Sequence, residues 1–207
     1  IRRKIIDLSL QTGDYKKVTS EFCDWAEAHQ NLGNLDDAIR IYNQILSIDV
    51  LIQDRVYLKS AVINARFLEI IRDAVDRASG AIFFNLGYLY LEKGSLDLAA
   101  SYLVKCIEDN PQDARVHELL GQVYFQKDLY DEAIGELQEV IRLEPEASGN
   151  AYELLGDIFI KTCRPAQSVL TWFNKAAEIY TEQEMFDEAV KVYEKILEVD
   201  ANNEEIL

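Results

Sequence analysis

The sequence predicts an all-α fold built of stacked helix–turn–helix repeats. Three observations predict it. Apolar side chains recur at spacings of three and four residues, as in Leu119, Leu120, Val123 and Tyr124, which is the period of an amphipathic helix. Glycine or aspartate interrupts these stretches, as in "EKGSLD" and "QKDLYDEA", and both residues favour tight turns. The whole pattern then returns at a fixed distance along the chain.

The repeat has a period of 34 residues. The pairs that share this offset are Leu86 and Leu120, Gly87 and Gly121, Tyr90 and Tyr124, Ala99 and Ala133, and Pro111 and Pro145. The two prolines follow the second helical stretch of their copies, where proline cannot continue a helix. A unit of this length holds two helices that are slightly longer than the average of about eleven residues.

With these residues the repeat is similar to the tetratricopeptide repeat, a helix–turn–helix unit of the same length. The signature of that family is an aromatic residue, then Leu-Gly, Tyr, Ala, an aromatic residue, Ala and Pro. The copies in this sequence are residues 19–52, 80–113, 114–147, 149–182 and 170–203. The resemblance implies a right-handed α-solenoid, in which each unit buries its apolar face against its neighbours.

Two helices are shared between successive copies. Because copies 149–182 and 170–203 overlap, the segment "PAQSVLTWFNKAAEIYTEQ" is expected to close one copy and open the next as a single helix. At the amino end, "IIDLSLQTGDYKKVTSEF" is interpreted in the same way, as the closing helix of an earlier copy that also opens residues 19–52. We expect the stacking to shift its phase at both places.

Residues 53–80 have the apolar period of a helix but lack the Leu-Gly pair, the turn and the proline. One long helix is the expected form. We therefore divide the chain into a degenerate amino-terminal block (1–52), an irregular long helical spacer (53–79) and a regular block of repeats (80–207).

Gly121 stands in the middle of a helical stretch, where glycine costs about 1 kcal/mol relative to alanine. Small residues allow two helices to approach each other at the short end of their usual range of distances. We therefore predict that Gly121 lies against Ala133 on the partner helix, and that Gly87 lies against Ala99 in the same way.

The charge and the cysteines limit the class of partner and the setting. A formal net charge of −16 argues against a nucleic-acid partner, because phosphate binding needs a basic face, and against an anionic membrane surface. No apolar run approaches the roughly 20 residues of a membrane-crossing helix, so no membrane insertion is expected. Cys23, Cys106 and Cys163 form no CxxC pair, and structural thiols in a reducing, cytoplasmic compartment are the interpretation.

No catalytic, metal-binding or cofactor-binding constellation is recognised. His29 and His117 are the only histidines, and both fall at repeat packing positions. The sequence contains no glycine-rich phosphate loop, no HExxH and no GxSxG motif. Acidic pairs such as Asp131-Glu132 open second helices, where they favour the helix dipole. The interpretation is that the chain is not an enzyme and takes neither a cofactor nor a metal.

The resemblance implies that the first helix of each copy lines a concave groove, exposing its second, fifth, ninth and twelfth positions. Two features emerge there. The first, here called the apolar shelf, consists of Phe84, Tyr88, Leu91 and Phe125. The second, here called the acidic stripe, consists of Glu118, Glu153, Asp157 and Glu178, with Gln122 beside it. These residues are the predicted peptide-binding site.

The resemblance and the groove residues together suggest a protein-interaction scaffold or adaptor. Family members that bind heat-shock chaperones hold an acidic carboxylate with lysine, asparagine and arginine, and that set is absent here at the fifth and ninth positions. The expected partner is therefore a peptide or helix that is apolar and carries basic residues. In another interpretation the shelf is covered by the spacer helix or by further repeats.

Other functions stay open at this point. The end repeats lack obvious polar caps, so self-assembly into a homo-oligomer is one alternative. A regulatory segment of a larger multidomain protein and a chaperone for an apolar client are two more. Because the chain begins at Ile1 and stops in "NNEEIL", we expect it to be a fragment of a longer protein.

Overall fold

The computed structural model describes residues 15–46, 65–146 and 148–199. Within these ranges it contains nine α-helices and no strand. They are α1 (Tyr15–Asn31), α2 (35–46), α3 (Ala65–Glu92), α4 (Leu96–Asp109), α5 (Ala114–Gln126), α6 (Tyr130–Leu143), α7 (Gly149–Lys161), α8 (Ala166–Glu182) and α9 (Phe186–Val199). The predicted all-α fold is confirmed.

The first of two compact units is Ile1–Asp109. Within it, α3 packs against both α1 and α4. Its core holds Tyr42 of α2 together with Leu86 and Leu89 of α3, all completely buried. The hydroxyl oxygen of Tyr42 accepts a hydrogen bond of 2.9 Å from the side-chain amide of Asn85, so the buried polar atom is satisfied.

The second compact unit is Asn110–Leu207. Helices α5 and α6, α7 and α8, and α8 and α9 pack as consecutive pairs, and α6 also packs against α7. The cores contain fully buried aliphatic and aromatic side chains such as Leu137, Leu155 and Phe173. This stacking of helix–turn–helix units confirms the predicted α-solenoid fold class.

The turns before α4 and α6 lie where glycine or aspartate marked them in the sequence. Gly94 and Asp128 both have positive φ angles, 71° and 57°, a conformation that glycine adopts at no steric cost and aspartate tolerates. The turns before α8 and α9 place Cys163 and Glu184 in the same conformation, with φ of 52° and 59°. These last two turns carry no residue that favours it.

Gly87 and Gly121 are positions of close approach between paired helices. A Cβ atom on Gly121 would lie 3.0 Å from Cγ of Leu137 and 3.6 Å from the carbonyl oxygen of Ala133. One on Gly87 would lie 2.6 Å from Cγ of Leu103. The predicted partner helices are therefore right, but the nearest side chains belong to leucines one turn beyond the predicted alanines. The alanines contribute their backbone to the contact.

The shared helix near the carboxyl end is confirmed. Helix α8 runs unbroken from Ala166 to Glu182, so it closes copy 149–182 and opens copy 170–203. Helix α8 packs against both α7 and α9. At the amino end α1 is a single helix of 17 residues, while the residues that precede Tyr15 lie outside those that the structure describes.

Helix α3 is a single helix of 28 residues, Ala65–Glu92. It passes through the expected boundary between residues 79 and 80 without a break, and residues 53–64 lie outside the described ranges. The compact units divide instead after Asp109. The three-block division is based on repeat phase, and it stays a prediction.

Candidate functional site

The apolar shelf has members in both compact units. In the first unit Phe84 is half-buried, Tyr88 is 36% exposed and Leu91 is only 7% exposed, so Leu91 offers little surface. In the second unit Phe125 is half-buried and packs beside Tyr130, with ring centroids 6.2 Å apart. A single surface that joins all four residues stays a prediction.

Asp113 is the N-cap of helix α5. The side chain of Asp113 accepts a hydrogen bond of 3.1 Å from the backbone N–H of Arg115 and two from its guanidinium. The side-chain hydrogen bond from Arg115 is the main reason why the pKa of Asp113 is lowered. This cap fixes the first turn of the helix that carries Glu118 and Gln122.

Glu118 joins α5 to the start of α7. Its two carboxylate oxygens accept hydrogen bonds from Ser148 Oγ at 2.9 Å and from the side-chain amide of Asn150 at 2.6 Å. Ser148 is itself the N-cap of α7, because its Oγ accepts the N–H of Ala151. The first helices of two successive copies are thus held side by side at positions predicted to face the groove. Gln122 is half-buried next to them.

Glu153 and Asp157 share one ammonium group. The Nζ atom of Lys195 on α9 lies 2.8 Å from Oε1 of Glu153 and 2.8 Å from Oδ2 of Asp157. The other oxygen of Glu153 accepts a hydrogen bond of 3.1 Å from the hydroxyl of Tyr180. Lys195 Nζ also lies 5.6 Å from the ring centroid of Phe173. The network ties α7 to α9 across α8.

The protonation behaviour of this network follows from burial and pairing. Burial alone would lower the pKa of Lys195, but its hydrogen bonds to Asp157 and Glu153 outweigh that effect and raise the pKa. Burial, followed by the charge of Glu153, raises the pKa of Tyr180. Both groups therefore keep their protons at neutral pH and act as donors to the carboxylates.

The last member of the acidic stripe, Glu178, is paired on the surface of α8. Its Oε2 atom accepts a hydrogen bond of 2.9 Å from Nζ of Lys175. Each of the four carboxylates of the stripe thus has a partner within the chain, and two of the partners are lysines. The stripe is consequently less negative than its four carboxylates alone would make it.

An open pocket of about 550 Å³ lies beside this pair. It is lined by Tyr152, Thr171, Trp172, Asn174, Lys175 and Glu178. Its aromatic wall is Trp172, whose ring centroid lies 6.0 Å from that of Tyr152 and 5.9 Å from that of Phe159. Thr171 and Asn174 fall, like Glu178, at the predicted groove positions of copy 170–203, whereas Tyr152, Trp172 and Lys175 were not predicted. The tryptophan in the shared helix is the sequence signal that could have marked the pocket.

His117, Cys23 and Cys106 occupy packing positions, whereas Cys163 is exposed in the turn before α8. His117 is 6% exposed, with Nδ1 2.6 Å from Oε2 of Glu136 and Nε2 3.2 Å from the carbonyl oxygen of Pro111. Burial, followed by the charges of Glu27 and Asp24, raises the pKa of the Cys23 thiol to about 11. The Cys106 thiol donates to the carbonyl oxygen of Gly80 at 3.0 Å.

In residues 15–46, 65–146 and 148–199, no group of three or more His, Cys, Asp or Glu side chains is arranged to hold a metal ion. No helix in the same ranges combines the length and the apolar character of a membrane span.

Comparisons with known proteins agree with this geometry. A family model of the tetratricopeptide repeat matches residues 84–148, and a second one matches residues 25–49 and 170–203. No curated protein matches the sequence.

Three solved structures illustrate the structural likeness. A crystal structure of the MamA protein is 20% identical, with a TM-score of 0.60, over 93% of this chain and 96% of that one. MamA from Desulfovibrio magneticus RS-1 is 19% identical, with a TM-score of 0.57, over 88% and 94%. The TPR2B domain of yeast Sti1, in its complex with pHsp70, is 18% identical, with a TM-score of 0.55, over 60% and 98%. At these identities the likeness is one of fold.

Proposed function

The chain belongs to the tetratricopeptide repeat family, and from that premise we propose that it is a non-catalytic scaffold or adaptor that binds a peptide or helix in the concave face of its repeats. Repeats of this kind present an extended surface made by one helix of each unit. The solved complex of the yeast Sti1 TPR2B domain with pHsp70 supports a role in protein recognition for this fold.

The observation that carries the proposal is the bonding of Glu118 to Ser148 and Asn150. It holds the first helices of two successive copies in a fixed relation before any ligand arrives. A surface that is fixed in advance loses less conformational entropy on binding, and so retains more of its interaction free energy. Loops of the same composition would have no such advantage.

The chemistry of the partner follows from the residues on these two helices. Phe125 is half-buried and Ile160 is 45% exposed, so each offers apolar area to a ligand, worth roughly 25 cal/mol per Å² buried. Glu153 and Asp157 are already paired with Lys195, so the preference for a basic ligand is supported by the net charge of −16, which attracts cationic partners. We therefore propose an apolar peptide that carries lysine or arginine, and whose affinity falls with added salt.

A pair of synthetic peptides tests this proposal. One alternates leucine or phenylalanine with lysine, and the other replaces each lysine with glutamate. Fluorescence anisotropy of the labelled peptides should give saturable binding of the first peptide, and affinity for the second lower by about tenfold or more. Equal affinity for both peptides, or no binding of either, contradicts the proposal.

A double variant locates the site. Phe84→Ala with Phe125→Ala should lower the affinity for the lysine peptide, while far-ultraviolet circular dichroism shows the same helicity. Leu98→Ala is the matched control, because Leu98 is 47% exposed but lies on α4, a second helix. A double variant that binds like the control would place the ligand away from the concave face.

Cys23, Cys106 and Cys163 are thiols and not members of a disulfide, which supports a reducing, cytoplasmic compartment. The net charge of −16 supports a protein rather than a nucleic-acid partner. Self-assembly, regulation of a larger protein and chaperoning of an apolar client are the alternatives, and light scattering across a range of concentrations tests the first of them.

A further inference from the structure

The last helix of the second unit, α9, exposes a continuous apolar stripe. Phe186 is 61% exposed, Val190 55% and Tyr193 38%. They are separated by four and three residues, so they lie on one face of the helix. Leu197, which continues the same spacing, is half-buried. The stripe adjoins the face that Ala189 and Ile196 bury in the core.

Positions equivalent to this stripe are covered elsewhere in the same unit. Copy 114–147 places Tyr130, Ile134 and Ile141 of α6 where copy 170–203 places Phe186, Val190 and Leu197. Those three residues of α6 are partly buried against a cluster that contains Ala151, Leu154, Leu155 and Ile158 of α7. Helix α7, which packs against α6, contributes a stripe of alanine and branched aliphatic residues to that cluster. The stripe on α9 has the shape and chemistry to take a helix of the same kind.

The outer border of the stripe is acidic. Asp187, Glu194 and Glu198 are all exposed and, at 100° per residue, all three fall on the side of the stripe that faces away from the core. A second copy of α9 laid antiparallel on the first would bring Asp187 close to Glu194 of the other copy, and this like-charge contact disfavours self-pairing. A helix with basic residues along that edge meets opposite charges instead.

We propose that the exposed face of α9 is a second docking surface, which takes an amphipathic helix with an alanine- and leucine-rich stripe and lysine or arginine along one edge. The surface is distinct from the concave face, because Phe186, Val190 and Tyr193 are on a second helix and not at groove positions. It works as the interface between α6 and α7 does, with apolar residues of one helix between those of the next.

The probe is a helix-stabilised synthetic peptide of residues 148–161 with Glu153→Lys and Asp157→Lys, labelled for fluorescence anisotropy. The intact chain should bind it saturably. Val190→Asp should lower the affinity about tenfold or more, because a carboxylate in the middle of an apolar interface is desolvated without a partner. The unaltered 148–161 peptide, whose edge is acidic, should bind more weakly by a similar factor.

Leu98→Asp is the matched control and should leave the affinity unchanged, because Leu98 is exposed to a similar degree on a different helix. A charge-swapped chain, Asp187→Lys with Glu194→Lys, should bind the unaltered 148–161 peptide more tightly than the lysine-substituted one. This variant leaves the apolar stripe of α9 unchanged. Equal binding by the intact chain and Val190→Asp overturns the proposal. The proposal is also overturned if the intact chain does not bind the peptide but sediments as a dimer, and Val190→Asp dissociates that dimer.

Discussion

Gly156 of α7 lies directly against the ring of Phe173 on α8. A Cβ atom at Gly156 would come within 2.5 Å of Cδ1 of that ring, and Phe173 is completely buried. The same relation recurs in the other two copies that carry the Leu-Gly pair, between Gly121 and Leu137 and between Gly87 and Leu103. The glycine of the repeat therefore sets how closely the two helices of a unit approach.

Gly156→Ala should lower the free energy of unfolding by between about 1 and 3 kcal/mol, because the added methyl group overlaps a buried ring that has no room to move. Gly135→Ala is the matched control. Gly135 also lies within a helix, α6, but a Cβ atom there would meet no atom of the described residues within 4 Å. This control should gain about 1 kcal/mol through helix propensity. Urea unfolding measures both values, and a stabilised Gly156→Ala would contradict the packing.

Glu184→Gly should stabilise the chain by about 1 kcal/mol. Glu184 has a φ of 59° in the turn before α9, a conformation in which the Cβ atom of an L-residue is strained by roughly 1–2 kcal/mol. Glycine removes that strain, although it adds freedom to the unfolded chain.

The opposite change at the equivalent turn gives the control. Gly94→Ala should destabilise, because Gly94 has a φ of 71° before α4. Thermal unfolding followed by circular dichroism measures both variants. Two shifts of the melting temperature in the same direction would show that backbone strain does not control these turns.

The fold was predictable because its signals are local and periodic. Gly87 and Gly121 with their following turns recur at one offset, and each belongs to a contact between helices that are adjacent in the chain. The overlap of copies 149–182 and 170–203 also predicted the single helix α8. In detail the prediction placed alanines where leucines make the nearest contact, because sequence spacing fixes the face of a helix but not the reach of a side chain.

The candidate site was predictable only in part, because its partners come from distant positions. Glu153 and Asp157 were assigned to an acidic stripe, but Lys195 lies 42 and 38 residues further along the chain. It reaches them because α8 takes part in two copies and brings α9 close to α7. No local pattern shows that geometry. The pairing of Glu118 with Asn150 depends in the same way on contact between successive first helices.

Asp113→Ala should lower the free energy of unfolding by about 1 kcal/mol at pH 7, the usual effect of losing an N-cap. The pKa of Asp113 is lowered in the folded chain, chiefly by the hydrogen bond from Arg115. Folding therefore favours the charged form of Asp113. The stability that this charge contributes is complete above the unfolded-state pKa of about 3.9 and is lost as the pH falls through the folded-state pKa.

The pH dependence of this variant provides the check. The difference between the intact chain and Asp113→Ala, measured by urea unfolding, should shrink as the pH is lowered from 7 toward 3. Asp113→Asn is the control, because its side chain still caps α5 but does not titrate. A difference that stays constant down to the lowest pH would mean that the charge of Asp113 adds nothing to the cap.

Lys195→Met should lower the free energy of unfolding by roughly 1–2 kcal/mol at pH 7, because Glu153 and Asp157 lose a shared donor while they remain partly buried. Lys191→Met is the matched control. Lys191 lies one turn earlier on α9 and is exposed, so its replacement should change the stability by less than about 0.5 kcal/mol. Equal effects of the two substitutions in urea unfolding would show that the network contributes no stability.

The contribution of Lys195 should also depend on pH in a defined direction. Burial lowers the pKa of Lys195, but its hydrogen bonds to Asp157 and Glu153 outweigh burial, and the folded-state pKa is raised. The stabilisation is therefore complete below the unfolded pKa of about 10.4 and is lost as pH rises through the folded value. At the acid end, burial raises the pKa of Asp157, so protonation of Asp157 removes one of the charges that Lys195 neutralises. The difference in the free energy of unfolding between the intact chain and Lys195→Met should thus be largest between about pH 6 and pH 9. Urea unfolding at pH 4, 7 and 11 measures this difference. A difference that is larger at pH 4 than at pH 7 would contradict the assigned pairing.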